Sequence, residues 1–271
     1  MFRLSVYSGI VFALIGVTLL LLHLGHILWF WHMFVTVRPE SVLSLGGWIL
    51  SGWLTVVGVM AALWIVKYFI KDLSGLVDKA TAVLSWIGFF LSILLISYGG
   101  VLIATTNKPL WADTLLLPSL FIGSAMCTGL AWLILGSLIA NWATGVTWLS
   151  GILKILFGAT DWKIEADILH KITRALVITL AATLFILVAF VLWLSGAAPD
   201  AAAVLLTGEL AVYFWAGLVG FGLILPFVML LFTWKRGTAN SGIKTLIAAS
   251  SFMALAGGLI LRAVILIGGQ L

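Results

Sequence analysis

The sequence predicts an all-α, polytopic membrane protein with about seven transmembrane helices in a bundle, and three observations carry that reading. Of the 271 residues, 63% are hydrophobic and only 8% charged, whereas a soluble domain carries about 25% charged residues. Apolar runs long enough to cross a ~30 Å hydrocarbon layer recur along the whole chain. They lack the period-2 alternation of barrel strands. A backbone in lipid must satisfy its own polar groups, so the spans are helices.

The spans fall at about 6–31, 44–66, 83–105, 115–140, 170–195, 209–233 and 244–267. Polar turns separate them, marked by Pro39, Lys108-Pro109, Pro199-Asp200 and Lys235-Arg236-Gly237. The longest connection, 141–168, opens with NWATGVTWLSGILKILFG, which suits an amphipathic helix lying at the interface. The alternative makes it an eighth span. Charge decides between the two. With seven spans, eleven Lys/Arg residues stand on the N-terminal side and only Arg38 and Lys108 on the other. That asymmetry predicts a cytoplasmic N-terminus and an outside C-terminus. An eighth span would carry Lys163, Lys171 and Arg174 outside and weaken it. Residues 1–271 therefore read as a single integral membrane domain in a cytoplasmic (inner) membrane.

The formal charge of +5 reports this orientation rather than nucleic-acid binding. No cleavable signal is expected, because the first run is long and no small-residue cleavage pattern follows it. The single Cys127 can build neither a disulfide nor a multi-thiolate metal site, and reads as a small apolar filler.

Placed on these spans, polar side chains from five segments gather at one depth. His23 and His26 lie three residues apart on one face in the outer half of the first span. Tyr98 stands in the outer third of the third span and Trp111 in the turn beyond it. Glu209 opens the sixth span, and Arg262 lies in the outer half of the seventh. An ionisable group at membrane depth costs ~2.5–3.5 kcal/mol on insertion scales, so each is a functional candidate by default. Each also has a plainer reading. Tyr98 can be an interfacial anchor, and His26 can cap its own helix. Glu209 can be an acid favoured by a helix N-terminus. Arg262 can snorkel outward or pair with Glu209. The fourteen Trp residues mostly suit an interfacial belt. Convergence is what points to a site.

Such a cluster suits a quinone. The flat ring needs donors for two carbonyl oxygens, and a quinol must hand on two protons. A Tyr hydroxyl and a His imidazole donate, and the His also accepts a proton near neutral pH. A nearby carboxylate relays it. Gly99 and Gly100 leave room for the ring and its tail. The same residues could line a polar transport path. Haem is not expected: His23, His26 and His32 share one helix end and His170 opens the fifth span on the inner side, so no facing pair exists at one depth.

The stretch YGGVLIATTNKPLWADTLLLPSLFIGSAMCTGLAW, from Tyr98 to Trp132, resembles the quinone-facing hairpin of the NrfD-like family of polysulfide-reductase membrane subunits. Three further segments are similar to that family. One runs from His23-Leu24-Gly25-His26 through Phe30-Trp31, Pro39, Ser41 and Ser44 to Gly46-Gly47-Trp48. The others are Trp215-Ala216-Gly217 through Pro226, and Leu261-Arg262 with Gly268-Gly269-Gln270.

The resemblance implies a quinone-binding role for Tyr98, with His26, His23, Gly99 and Trp111 around it and Glu209 and Arg262 handling protons. It implies bound menaquinone or ubiquinone. It implies an outer-face ferredoxin-like iron–sulfur subunit and a molybdopterin catalytic subunit as partners. His26-Ile27 stands where the family has Arg-Pro. The family's usual first helix, with an Asn and a His toward the quinone, has no counterpart here. Either another membrane subunit supplies a helix, or the site is rebuilt around His26, or it is lost. The expected function is a quinone-interacting membrane anchor. A purely structural anchor and a proton- or ion-translocating subunit are the alternatives, the last opposed by spans nearly empty of acids at the midplane.

Overall fold

Long apolar runs fold as helices because each residue then satisfies its own backbone groups, and the computed structural model follows that rule throughout its described part. It describes residues 2–23, 31–32, 40–70, 74–106, 108, 110–111, 114, 116–143, 166–234 and 241–270. In chain order the long helices are α1 (Phe2–His23), α2 (Val42–Phe69), α3 (Ser74–Ala104), α4 (Leu116–Ala143) and α5 (Ala166–Ala197). A short helix, α6 (Pro199–Leu206), comes next. A π-helical segment, Tyr213–Ile224, then runs directly into α7 (Leu225–Trp234), and α8 (Ser241–Gly268) follows. Seven stretches are long and apolar enough to span a membrane, matching the expected seven in number and place.

The boundaries differ where charge in the sequence looks like a stop. The third span is expected to begin near 83, yet α3 starts at Ser74 and carries Asp78 and Lys79. Polar first turns can project beyond the hydrocarbon, and Asp78 is neutralised by Lys67 of α2 at 2.5 Å. Glu209 is expected to open the sixth span. It sits instead in the exposed turn between α6 and the π segment. Pro199-Asp200, a turn by its sequence, opens α6, where proline at the first helical position loses no hydrogen bond. The expected interfacial helix falls mostly on 144–165, outside the described residues.

The chain forms two compact units, Met1–Tyr98 with Trp142–Trp162, and Gly99–Asn141 with Lys163–Leu271. In the first, α2 is started by Ser41, whose side chain accepts from the Ser44 N–H. Trp64 packs at α1, with the Tyr7 ring 6.0 Å away and the Arg3 guanidinium 5.2 Å over its face. α2 and α3 run antiparallel. Gly46 meets Tyr98, the Trp53 indole N–H donates to Ser92 Oγ at 2.7 Å, and Lys67 meets Asp78. Trp53 and Trp64 are thus helix cross-links, not belt residues.

In the second unit, small residues let helices touch. Gly222 and Gly257 approach so closely that a Cβ on Gly222 would lie 2.5 Å from Gly257 Cα. This is the small-residue contact typical of membrane helices. A Cβ on Gly123 would lie 2.7 Å from Thr183 Oγ1. Cys127 is buried beside Thr183, 3.4 Å away, the filler position expected of it. The π segment precedes Pro226, which brings no N–H for the Gly222 carbonyl. The ladder widens upstream, and the Leu225 N–H bonds Gly220 O.

Candidate functional site

Tyr98 lies near the C-terminal end of α3, half-buried, with its ring packed flat over Gly46 of α2. A Cβ on Gly46 would fall inside that ring, so glycine is required for the contact. The Ser41 cap fixes the start of α2 and so brings Gly46 onto the Tyr98 face. Among the described residues, no group forms a hydrogen bond with the Tyr98 hydroxyl. Ring position is therefore set by packing, and the hydroxyl is left for something else. In the sequence Gly46 stands out only as part of a motif. Its role becomes legible once α2 and α3 are known to run antiparallel.

The neighbouring glycines, in the second unit, divide. A Cβ on Gly99 would make only ordinary contact, 3.9 Å from Phe121 Cδ1. A Cβ on Gly100 would strike the Pro118 backbone at 2.5 Å, so Gly100 serves the close crossing of α3 and α4. Gly99 keeps the openness expected of it; Gly100 does not.

Trp111 is committed to structure. Its indole N–H donates to Ile265 O of α8 at 2.8 Å, and the side chain is 9% exposed. Gly269 has no room for a side chain because the Trp111 indole occupies the place of its Cβ. Gly268 likewise faces Leu205 Cδ2 at 3.1 Å and Leu210 Cδ1 at 3.3 Å. The glycine pair thus receives the turn after α3.

Glu209 and Arg262 are both exposed, and no ion pair joins them. Arg262 follows Leu261, which is buried in the core. The Trp215 indole N–H donates to Leu206 O at 3.1 Å, and Gly217 faces Ile260. α1 reaches His23, but that side chain and the whole of His26 lie outside the described residues. His32 stacks on Trp31 with ring centroids 3.8 Å apart. The structure thus brings Tyr98 to Gly46 and Trp111 to α8, and does not bring Glu209 to Arg262.

A family model described as polysulphide reductase, NrfD, matches residues 1–271. The protein is 28% identical over 265 residues to the C subunit of polysulfide reductase from Wolinella succinogenes, covering 94% of this sequence and 77% of that one. It is 27% identical over 279 residues to protein NrfD of Escherichia coli K12, covering 95% and 79%. It is 26% identical over 289 residues to an NrfD homolog of Haemophilus influenzae, covering 99% and 82%.

Proposed function

Because this chain belongs to the polysulphide reductase NrfD family, we propose that it faces the quinone pool within a respiratory oxidoreductase complex, with Tyr98 as a head-group donor. Members of the family are membrane subunits of such complexes, and the chain is a multi-pass protein of the prokaryotic inner membrane. The observation carrying the finer reading is the Tyr98 hydroxyl, held in place by the ring's seat on Gly46 and free of a protein partner among the described residues.

Bound menaquinone or ubiquinone would supply two-electron, two-proton redox chemistry. The residues supply the rest. Tyr98 donates to a carbonyl oxygen, and apolar α2 and α3 side chains exclude water. His26 is a second donor and proton acceptor, poised by the ordinary pKa of imidazole. Glu209 and Arg262 act separately, as exposed groups at which protons can exchange with water. An iron–sulfur subunit of ferredoxin type, docked on the outer face beside a molybdopterin subunit, is the electron partner. The Wolinella relative supports this by its name, which makes it one subunit of a multi-subunit reductase.

Tyr98→Phe tests the assignment by removing one hydroxyl while keeping the ring on Gly46. Complex assembly should persist, and quinone-linked turnover should fall about 10²-fold, the scale of a positioned proton donor. Unchanged turnover would remove Tyr98 from the site. A structural anchor without a quinone is the second reading, favoured by the commitment of Trp111 to Ile265. Solvent extraction of the purified complex separates the two, since only the first yields stoichiometric quinone.

A further inference from the structure

The geometry points to a binding site for an anionic phospholipid between α5 and α7, at the Lys/Arg-rich end of the second unit. Val177, Ile178 and Ala181 of α5 and Phe227, Leu231 and Trp234 of α7 line an open groove of about 610 Å³. That size lies within the ~300–1,000 Å³ range of ligand clefts. The walls are apolar, which suits an acyl chain and offers nothing to a polar head.

Arg174 supplies the missing half. Its guanidinium lies 5.2 Å from the centroid of the Trp234 ring, itself a wall of the groove. Arg174 precedes Val177, Ile178 and Ala181 by three, four and seven residues, so one face of α5 is cationic and then apolar. Lys171 stands one turn further out, paired with Asp167 at 2.7 Å. Arg174 is exposed, and among the described residues no carboxylate pairs with it.

A guanidinium stacked on a ring still presents its N–H donors at its edge, in the fork that matches a phosphate. A cation above an apolar trough is complementary to one molecular shape, a phosphate-bearing head on a hydrocarbon tail. The charge asymmetry of the sequence assigns this end to the cytoplasmic leaflet, whose anionic lipids favour such sites. Net charge distinguishes the occupant. Phosphatidylcholine brings its own cation to the phosphate, and phosphatidylglycerol does not.

The full chain in nanodiscs tests this with lipids brominated on the acyl chain, which quench nearby indoles. The Trp234 signal is the difference between the wild type and Trp234→Phe. Brominated phosphatidylglycerol should half-quench it at a mole fraction about fivefold lower than brominated phosphatidylcholine. That is about 1 kcal/mol at 1.4 kcal/mol per tenfold, the value of one basic residue near anionic lipid. Arg174→Gln should abolish the difference, and Arg174→Lys should keep most of it, which separates loss of charge from misfolding. Equal quenching by both lipids in the wild type overturns the proposal. Selectivity surviving in Arg174→Gln does the same. So does a Trp234 signal insensitive to either lipid, because a quinone or a protein helix then fills the groove.

Discussion

Gly46→Ala is the sharpest perturbation the structure offers, because its sign depends on one neighbour. In an open helix, Gly→Ala stabilises by about 0.5–1 kcal/mol through backbone entropy and propensity. At position 46 the new Cβ would overlap the Tyr98 ring. Even Cε1, the least crowded of the three ring atoms nearest it, stands 2.6 Å away where ordinary contact begins at 3.4 Å, so the ring must retreat by about 0.8 Å. If the ring stays and the helices part, overpacking costs about 1–3 kcal/mol. If the ring swings off its rotamer, the cost is about 0.5–1.5 kcal/mol, which roughly cancels the helical gain. Both routes disappear once the ring is gone.

The test is a double-mutant cycle read by melting temperature in detergent. Gly46→Ala should lower or leave unchanged the stability of the wild type, and raise that of Tyr98→Ala by the full helical gain. The coupling should then lie between about 0.5 and 3 kcal/mol. Turnover adds a second axis. A donor displaced by about 1 Å loses up to about 10²-fold in rate, so Gly46→Ala should slow quinone-linked turnover even where stability barely moves. Equal effects of Gly46→Ala in the two backgrounds would refute the ring seat and the positioning argument built on it.

Two further outcomes follow from packing in the second unit. Trp111→Phe should cost only about 0.5–1.5 kcal/mol by denaturant titration. Ile265 O keeps a second donor, the Gly269 N–H at 3.2 Å, and is not left bare. Trp111→Ala opens a cavity and should cost about 3–5 kcal/mol; a Phe variant as damaging as Ala would contradict this. Gly257→Ala should lower the melting temperature sharply, since its Cβ would face Gly222 O at 2.8 Å and that backbone cannot swing away. Gly129→Ala, with nothing within 4 Å, should be neutral or mildly stabilising on the same instrument.

Much of the fold was legible because lipid leaves few choices. Apolar runs gave helix number and place, since an unsatisfied backbone is prohibitive in hydrocarbon. Boundaries were less legible, because charge at a helix end marks the membrane surface and not the end of the helix. Asp78 shows this: it lies inside α3, held by Lys67. The π-helical turn was hidden as well. Pro226 announces a disturbed ladder, but an ordinary kink would leave the same trace in the sequence.

The site was legible in part, for a reason the motifs themselves reveal. Most residues that carry the family resemblance are absorbed by packing. Gly46 seats a ring, Gly100 meets Pro118, Trp111 and Gly269 lock a turn to α8, and Trp215 holds α6. A one-dimensional reading cannot separate such residues from ligands, because depth and polarity look alike for both. Hydrogen-bond accounting can. The Trp111 N–H is used within the protein, so Trp111 no longer needs a ligand to explain its place. The Tyr98 hydroxyl is not used among the described residues, although the protein gives up a side chain at position 46 to hold its ring. A tyrosine kept only as a membrane anchor has no need of a glycine seat on the neighbouring helix. The chemistry is therefore best sought at Tyr98, where packing fixes the ring and leaves the oxygen available.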